Sequence, residues 1–245
     1  MFTPEEREQL VEDLVSAARA DARITGAAVT GSAALGREDR WSDVDLALSV
    51  AADPEQVLAE WTDRMYREHA AVDHLEVVFG ATVFRVFLLA STLQVDIAFW
   101  PKEDFGATGP TFRLLFGEAN ERPPTPEPAA AHLIGMAWLY ALHARSCIAR
   151  GEVWRAEYMV SGIRDHVLAL ACVRHGLPAT QGRGMDRLPP EVSAPIAGAL
   201  VRSLDVSELR RAFGVITGVL LAEAAEFDAD LAGRLAGPLQ EMAGR

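Results

Sequence analysis

The spacing of apolar residues changes once along this chain, and that change limits what it can fold into. From about residue 24 to residue 100 the apolar residues come in short runs: "ITGAAVTG" (24–31), "DVDLALSV" (43–50), "HLEVVFG" (74–80), "TVFRVFLLA" (82–90) and "TLQVDIAFW" (92–100). Runs of this length, rich in Val, Ile and Phe, read as strands. Two helical stretches accompany them, 4–22 with proline in its first turn and 53–70 with an Asp cap, proline and glutamate at its start. Beyond residue 128 the spacing is helical, over 128–150, 152–176, 190–204 and 205–227, with a tail helix to 243 and a loop over 175–190. Between the halves, "PKEDFGATGPTFRLLFGEANERPPTPEP" (101–128) holds six prolines and three glycines, the punctuation expected of a connector. The expected fold is α+β: a first domain over 1–105 with a mixed sheet and flanking helices, a linker over 106–128, and a helical bundle domain over 129–245.

Half of the 245 residues are hydrophobic, enough for an ordinary globular core. The two cysteines, Cys147 and Cys172, are too few for a disulfide framework or a thiolate metal site. The six histidines show no HxxxH spacing, which argues against zinc. The first residues are charged and helical, unlike a signal peptide, and no apolar run is long enough to cross a bilayer. A cytoplasmic protein without membrane contact is expected. The formal net charge is −12 and Lys102 is the one lysine. Tight nucleic-acid binding requires clustered Lys and Arg, so nucleic acid is not expected as a partner. An acidic surface attracts cationic small molecules instead.

One strand opens against pattern. Asp43 and Asp45 lead into "DVDLALSV", and side chains two apart on a strand share a face. Some fifty residues later Asp96 sits in "QVDIAF", sharing a face with Gln94 and Ala98 while Val95, Ile97 and Phe99 take the other. Like charges side by side repel unless a cation lies between them. Three carboxylates on two strands are most simply reconciled by a hard divalent ion such as Mg2+. Gly31-Ser32 lies shortly before the pair, where a glycine lets an anion approach the backbone and Ser32 opens a short helix whose N–H groups face it.

Gly31-Ser32, ten intervening residues, then Asp43-Val44-Asp45-Leu46 resembles the signature of the DNA-polymerase-beta-like nucleotidyltransferase superfamily, and the later "QVDIAF" resembles its third carboxylate. In layout, the chain is similar to the adenylyltransferases that modify aminoglycosides and lincosamides. The resemblance implies a nucleotidyltransferase domain followed by the helical bundle, with Mg2+ as cofactor and ATP as co-substrate. It implies Asp43 and Asp45 as metal ligands, Gly31 and Ser32 at the nucleotide's phosphates, and Asp96 as a third metal ligand or the general base for the acceptor hydroxyl. All three aspartates are then catalytic. Leu35 stands where many relatives carry arginine, and Arg37 is the nearest basic residue after it.

In the helical half, Glu157, Ser161, Arg164 and Leu168 lie on one stripe with Asp165 beside it. Glu157, Arg164 and Asp165 are candidates for binding an amine-bearing acceptor. Arg183, between Gly182 and Gly184, resembles the position at which related enzymes set a base over the triphosphate. Plainer readings stand beside these. The Gly31–Asp45 stretch could be a capped turn with solvated carboxylates. Asp96 could be an edge-strand charge, Arg183 a solvated turn residue, and Glu157, Arg164 and Asp165 an intrahelical ion-pair set. At least two of Trp138, Tyr140, Trp154 and Tyr158 are expected in the core, and Trp41 at the mouth of the site. The expected function is Mg-dependent transfer of AMP from ATP to a hydroxyl of a small molecule, such as an aminoglycoside or lincosamide antibiotic. The alternatives are a protein-adenylylating enzyme of toxin–antitoxin type and a catalytically silent nucleotide-binding module, for which Leu35 is the hint. The sequence does not indicate an oligomeric state.

Overall fold

The computed structural model describes residues 1–124 and 126–244. The chain divides into two compact units, Met1–Thr125 and Pro126–Arg245.

The first unit is built on a six-stranded sheet. Helix α1 (Pro4–Ala20) starts at a capping box in which the Thr3 hydroxyl accepts from the Glu6 amide and the Glu6 carboxylate accepts from the Thr3 amide. Strand β1 (Ile24–Thr30) leads into a single turn, α2 (Gly31–Ala34), then β2 (Val44–Val50), helix α3 (Pro54–Glu68), and strands β3 (Ala71–Phe79), β4 (Thr82–Leu89) and β5 (Gln94–Pro101). The strand order is β3-β4-β5-β2-β1 with one further edge strand beyond β1. β2 and β5 run parallel at the centre, and the remaining pairs are antiparallel.

The alternation of each strand sorts its residues to two unlike faces. Leu46, Leu48, Val95, Ile97 and Phe99 meet Leu10, Leu14 and Ala18 of α1 and Val57, Trp61 and Met65 of α3 in one dry core. On the other face the register aligns Ala28, Ala47 and Ala98 across β1, β2 and β5. These small side chains leave room for the fully buried Phe105 ring to lie on the sheet, edge to face with Phe112 at 5.4 Å.

That ring immediately precedes the stretch expected to be a linker, and there the structure corrects the sequence reading. The range 106–128 carries β6 (Gly106–Ala107), β7 (Phe112–Phe116) and β8 (Asn120–Glu121). β7 is the sheet's last strand, paired with β1, and β6 pairs with β8. Prolines and glycines mark turns between short strands as readily as a linker. The segment is pinned by Asn120, whose amide donates to the carbonyls of Lys102 (2.9 Å), Glu103 (3.2 Å) and Phe105 (3.1 Å). The Arg122 guanidinium lies over Trp100.

The second unit is helical: α4 (Ala130–Arg150), α5 (Val153–Arg174), α6 (Pro190–Ala197), α7 (Val206–Phe227) and α8 (Ala229–Met242). Gly151, with φ +73°, turns the chain between α4 and α5. Those two helices approach closely because position 162 is glycine; a Cβ there would stand 2.3 Å from the Tyr140 ring. Arg174 of α5 reaches the nearly buried Glu223 of α7 through two bonds of 3.0 and 2.8 Å. The helix expected over 190–204 ends at Ala197, with Pro195 inside it and Gly198 following. Both cysteines are buried and unbonded, and no helix among the described residues is long and apolar enough to cross a membrane.

Phe105→Ala removes a fully buried ring and is expected to destabilise the first unit by about 3–5 kcal/mol. Urea denaturation followed by circular dichroism checks this.

Candidate active site

The unlike faces of the sheet decide where the carboxylates stand. Asp45 and Asp96 are direct partners across the parallel β2–β5 pair, two register positions before Ala47 and Ala98. They therefore share the alanine face, away from α1 and α3. Asp43 lies one residue before β2. One carboxylate oxygen from each of Asp43, Asp45 and Asp96 lies within 4.8 Å of the other two, and all three residues are partly buried.

Burial drives the Asp96 carboxyl above the usual carboxylate range. The Gln94 amide, donating to Asp96 Oδ1 at 3.0 Å, pulls the other way, and the Asp43 charge adds to the upward push. Gln94 also reaches Asp43 Oδ2, at 3.5 Å. It is a member of the site that the sequence reading set on the right face without giving it a role. The signal was its spacing, two residues before Asp96.

Gly31 has φ +62°, and a Cβ on it would stand 2.1 Å from Asp45 Oδ2. A side chain here is opposed both by the left-handed backbone and by the carboxylate that occupies its space. The glycine therefore serves the close packing of Asp45 as well as any approach of an anion. Ser32 follows in the single turn α2, partly exposed, and its carbonyl accepts from the Leu35 and Arg37 amides. Leu35 is 40% exposed. Trp41 is exposed two residues before Asp43, with the Arg40 guanidinium over its ring. A cavity of about 650 Å³ has Asp43 and Asp45 in its wall, with Val11 and Val15 of α1 and Arg113 of β7 also lining it.

The other predicted residues belong to the second unit. On α5 the Ser161 hydroxyl donates to Glu157 (2.6 Å), and Arg164 donates to Ser161 (3.2 Å) and Asp165 (3.0 Å). These groups satisfy one another along one helix, as the plainer reading expected. Arg183 is exposed in the turn after α5, its amide donating to the Thr180 carbonyl. Of the four aromatics, Trp138, Trp154 and Tyr158 are exposed. Tyr140 is partly buried, against His166 and Tyr158. The expectation that at least two would be core is overturned: of the four, Tyr140 alone packs against the core of the bundle.

No family model matches the chain, and no curated protein matches it. Among solved structures it is similar to an aminoglycoside 6-adenyltransferase from Bacillus subtilis, over 99% of both chains, with 12% identity and a TM-score of 0.43.

Because burial and the neighbouring Asp43 disfavour the ionised Asp96, its protonated form is the better fit to the metal-free fold. The penalty is absent below the ordinary carboxyl value of 3.8, grows as pH rises above it and is complete once pH has passed the elevated folded value. Asp96→Asn should therefore raise the melting temperature of chelator-treated protein at pH 7 relative to the parent, with the gain fading towards pH 3. Thermal melts across that range check it.

Proposed function

We propose that this protein transfers AMP from ATP to a hydroxyl of a small molecule with the help of Mg2+. The observation that carries the reading is the set of three carboxylates from neighbouring strands, each offering an oxygen within 4.8 Å of the others. An all-oxygen, acidic donor set fits a hard divalent cation, and the upward shift at Asp96, caused first by burial and further by the Asp43 charge, is a cost of ionisation that such a cation offsets. Asp43, Asp45 and Asp96 would hold it; when bound it supplies positive charge at the transferring phosphorus. The motif's resemblance to nucleotidyltransferases gives the choice of chemistry.

In this scheme the acceptor's hydroxyl oxygen bonds to the α-phosphorus while the bond to the bridging oxygen of the β-phosphate breaks, and pyrophosphate leaves with that electron pair. The acceptor's proton passes to Asp96 or to solvent. Gly31 and Ser32 hold the phosphates. The protein's contribution is chiefly positioning and charge.

A second reading, a protein acceptor, is favoured by the surface beside the cluster. The register sets Val86 next to Asp96, Leu75 next to Val86, and Leu88 next to Gln94, all on the carboxylate face. Leu75, Val77, Phe79 and Leu88 there are 45–79% exposed. An apolar apron of this kind suits a partner with a greasy contact face.

The test is pyrophosphate release from ATP and Mg2+ against a panel of aminoglycosides and lincosamides, beside transfer of labelled AMP to protein. Asp45→Asn should lower release by at least about 100-fold with the fold intact; full release from that variant contradicts the ligand role. Asp96→Asn separates its two roles: a fall in kcat with KM for ATP unchanged marks the base, and a parallel loss of nucleotide affinity marks the ligand.

A further inference from the structure

One buried cation beside the site has no part in the chemistry above. Arg7 of α1 is 3% exposed, an unfavourable place for a guanidinium unless specific partners meet it. Its Nη1 donates to the main-chain carbonyls of Asp39 (2.5 Å) and Ser42 (3.3 Å). Its Nε makes no hydrogen bond, and Glu38 Oε1 lies 3.5 Å from it. Both carbonyls belong to the segment that delivers the chain into β2, and Ser42 immediately precedes Asp43.

The three carboxylates are not held alike. Asp45 and Asp96 sit inside paired strands, where the ladder fixes their backbone. Asp43 lies before the first paired residue, Val44. Its backbone is set by what comes before it. Residues 39–42 are shaped by their own bonds: Asp39 Oδ1 accepts from the Trp41 amide (2.8 Å) and the Ser42 hydroxyl (3.2 Å), and Ser42 Oγ accepts from the Asp39 amide (2.9 Å). Those bonds give the segment a form and no location. Arg7 ties it to α1, whose Leu10, Leu14 and Ala18 are embedded in the main core.

We propose that Arg7 is a positioning residue that sets where the Asp43 carboxylate stands, and through it the affinity of the cluster for a divalent cation. This rests on reading the cluster as a metal site. Outer partners of this kind typically change metal affinity by about 10–100-fold when removed.

The test is Mn2+ binding to the full chain, followed by the paramagnetic resonance of the free ion. Arg7→Met should raise the Kd for Mn2+ about 10-fold or more, and hydrogen exchange should quicken across residues 38–43. Arg7→Lys, which keeps the cation but not the planar fork, should lose less; if Arg7→Met does not fold, Arg7→Lys carries the same comparison. The deciding step is the double variant with Asp43→Asn. If Arg7 acts through Asp43, the double variant binds Mn2+ within about twofold of Asp43→Asn alone, because the two losses share one cause. Losses that multiply, or an Arg7→Met protein that binds like the parent, overturn the positioning role and leave the metal site standing. A parent protein that binds no Mn2+ overturns the metal reading and this inference with it.

Discussion

Three carboxylates gathered on one partly buried spot are the constraint on which the first unit turns. Asp45 and Asp96 are placed opposite one another by the parallel pairing of β2 and β5, the most central contact of the sheet. A pair of like charges at such a place weakens the fold unless something offsets it. Gln94 offers a partial answer with one neutral amide shared between Asp96 and Asp43. A divalent cation offers a full one. On the proposed function, folding and cation binding are tied at one spot, since the pairing that completes the sheet also brings Asp45 and Asp96 together.

The rest of the unit is arranged around keeping that face both available and bounded. The apolar alternates of each strand are spent on α1 and α3, so the carboxylate face needs no helix. The alanine row next to Asp45 and Asp96 admits Phe105, and the 101–122 strap covers that part of the sheet. Gly31 gives Asp45 the space a side chain would fill. Arg7 brings the entry to β2 under control from the opposite core. Each is a local solution to a local packing problem, and together they hold charged groups close at the rim of a hydrophobic sheet.

What was legible in the sequence follows from how local each signal is. The period-two alternation of "DVDLALSV" and "QVDIAF" was enough to set the three aspartates on a common face, and the proline and acidic starts of α1 and α3 marked those helices. β7 was not legible: its "FRLLF" lies among glycines and prolines, and its pairing with β1 joins residues some eighty positions apart. Arg7 was hidden for a similar reason. In an amphipathic helix an arginine reads as a surface charge, and only the carbonyls of Asp39 and Ser42, some thirty residues away, show that it is buried. The surface exposure of Trp154 and Tyr158 also escaped, since spacing defines a helix face without saying what covers it.

On the proposed function, the aspartate cluster engages a nucleotide through a divalent cation. Calorimetric titration of the full chain with a non-hydrolysable ATP analogue, with Mg2+ and then with chelator, addresses it most directly. The account predicts saturable binding that requires Mg2+ and disappears with chelator. Equal affinity under both conditions would contradict it.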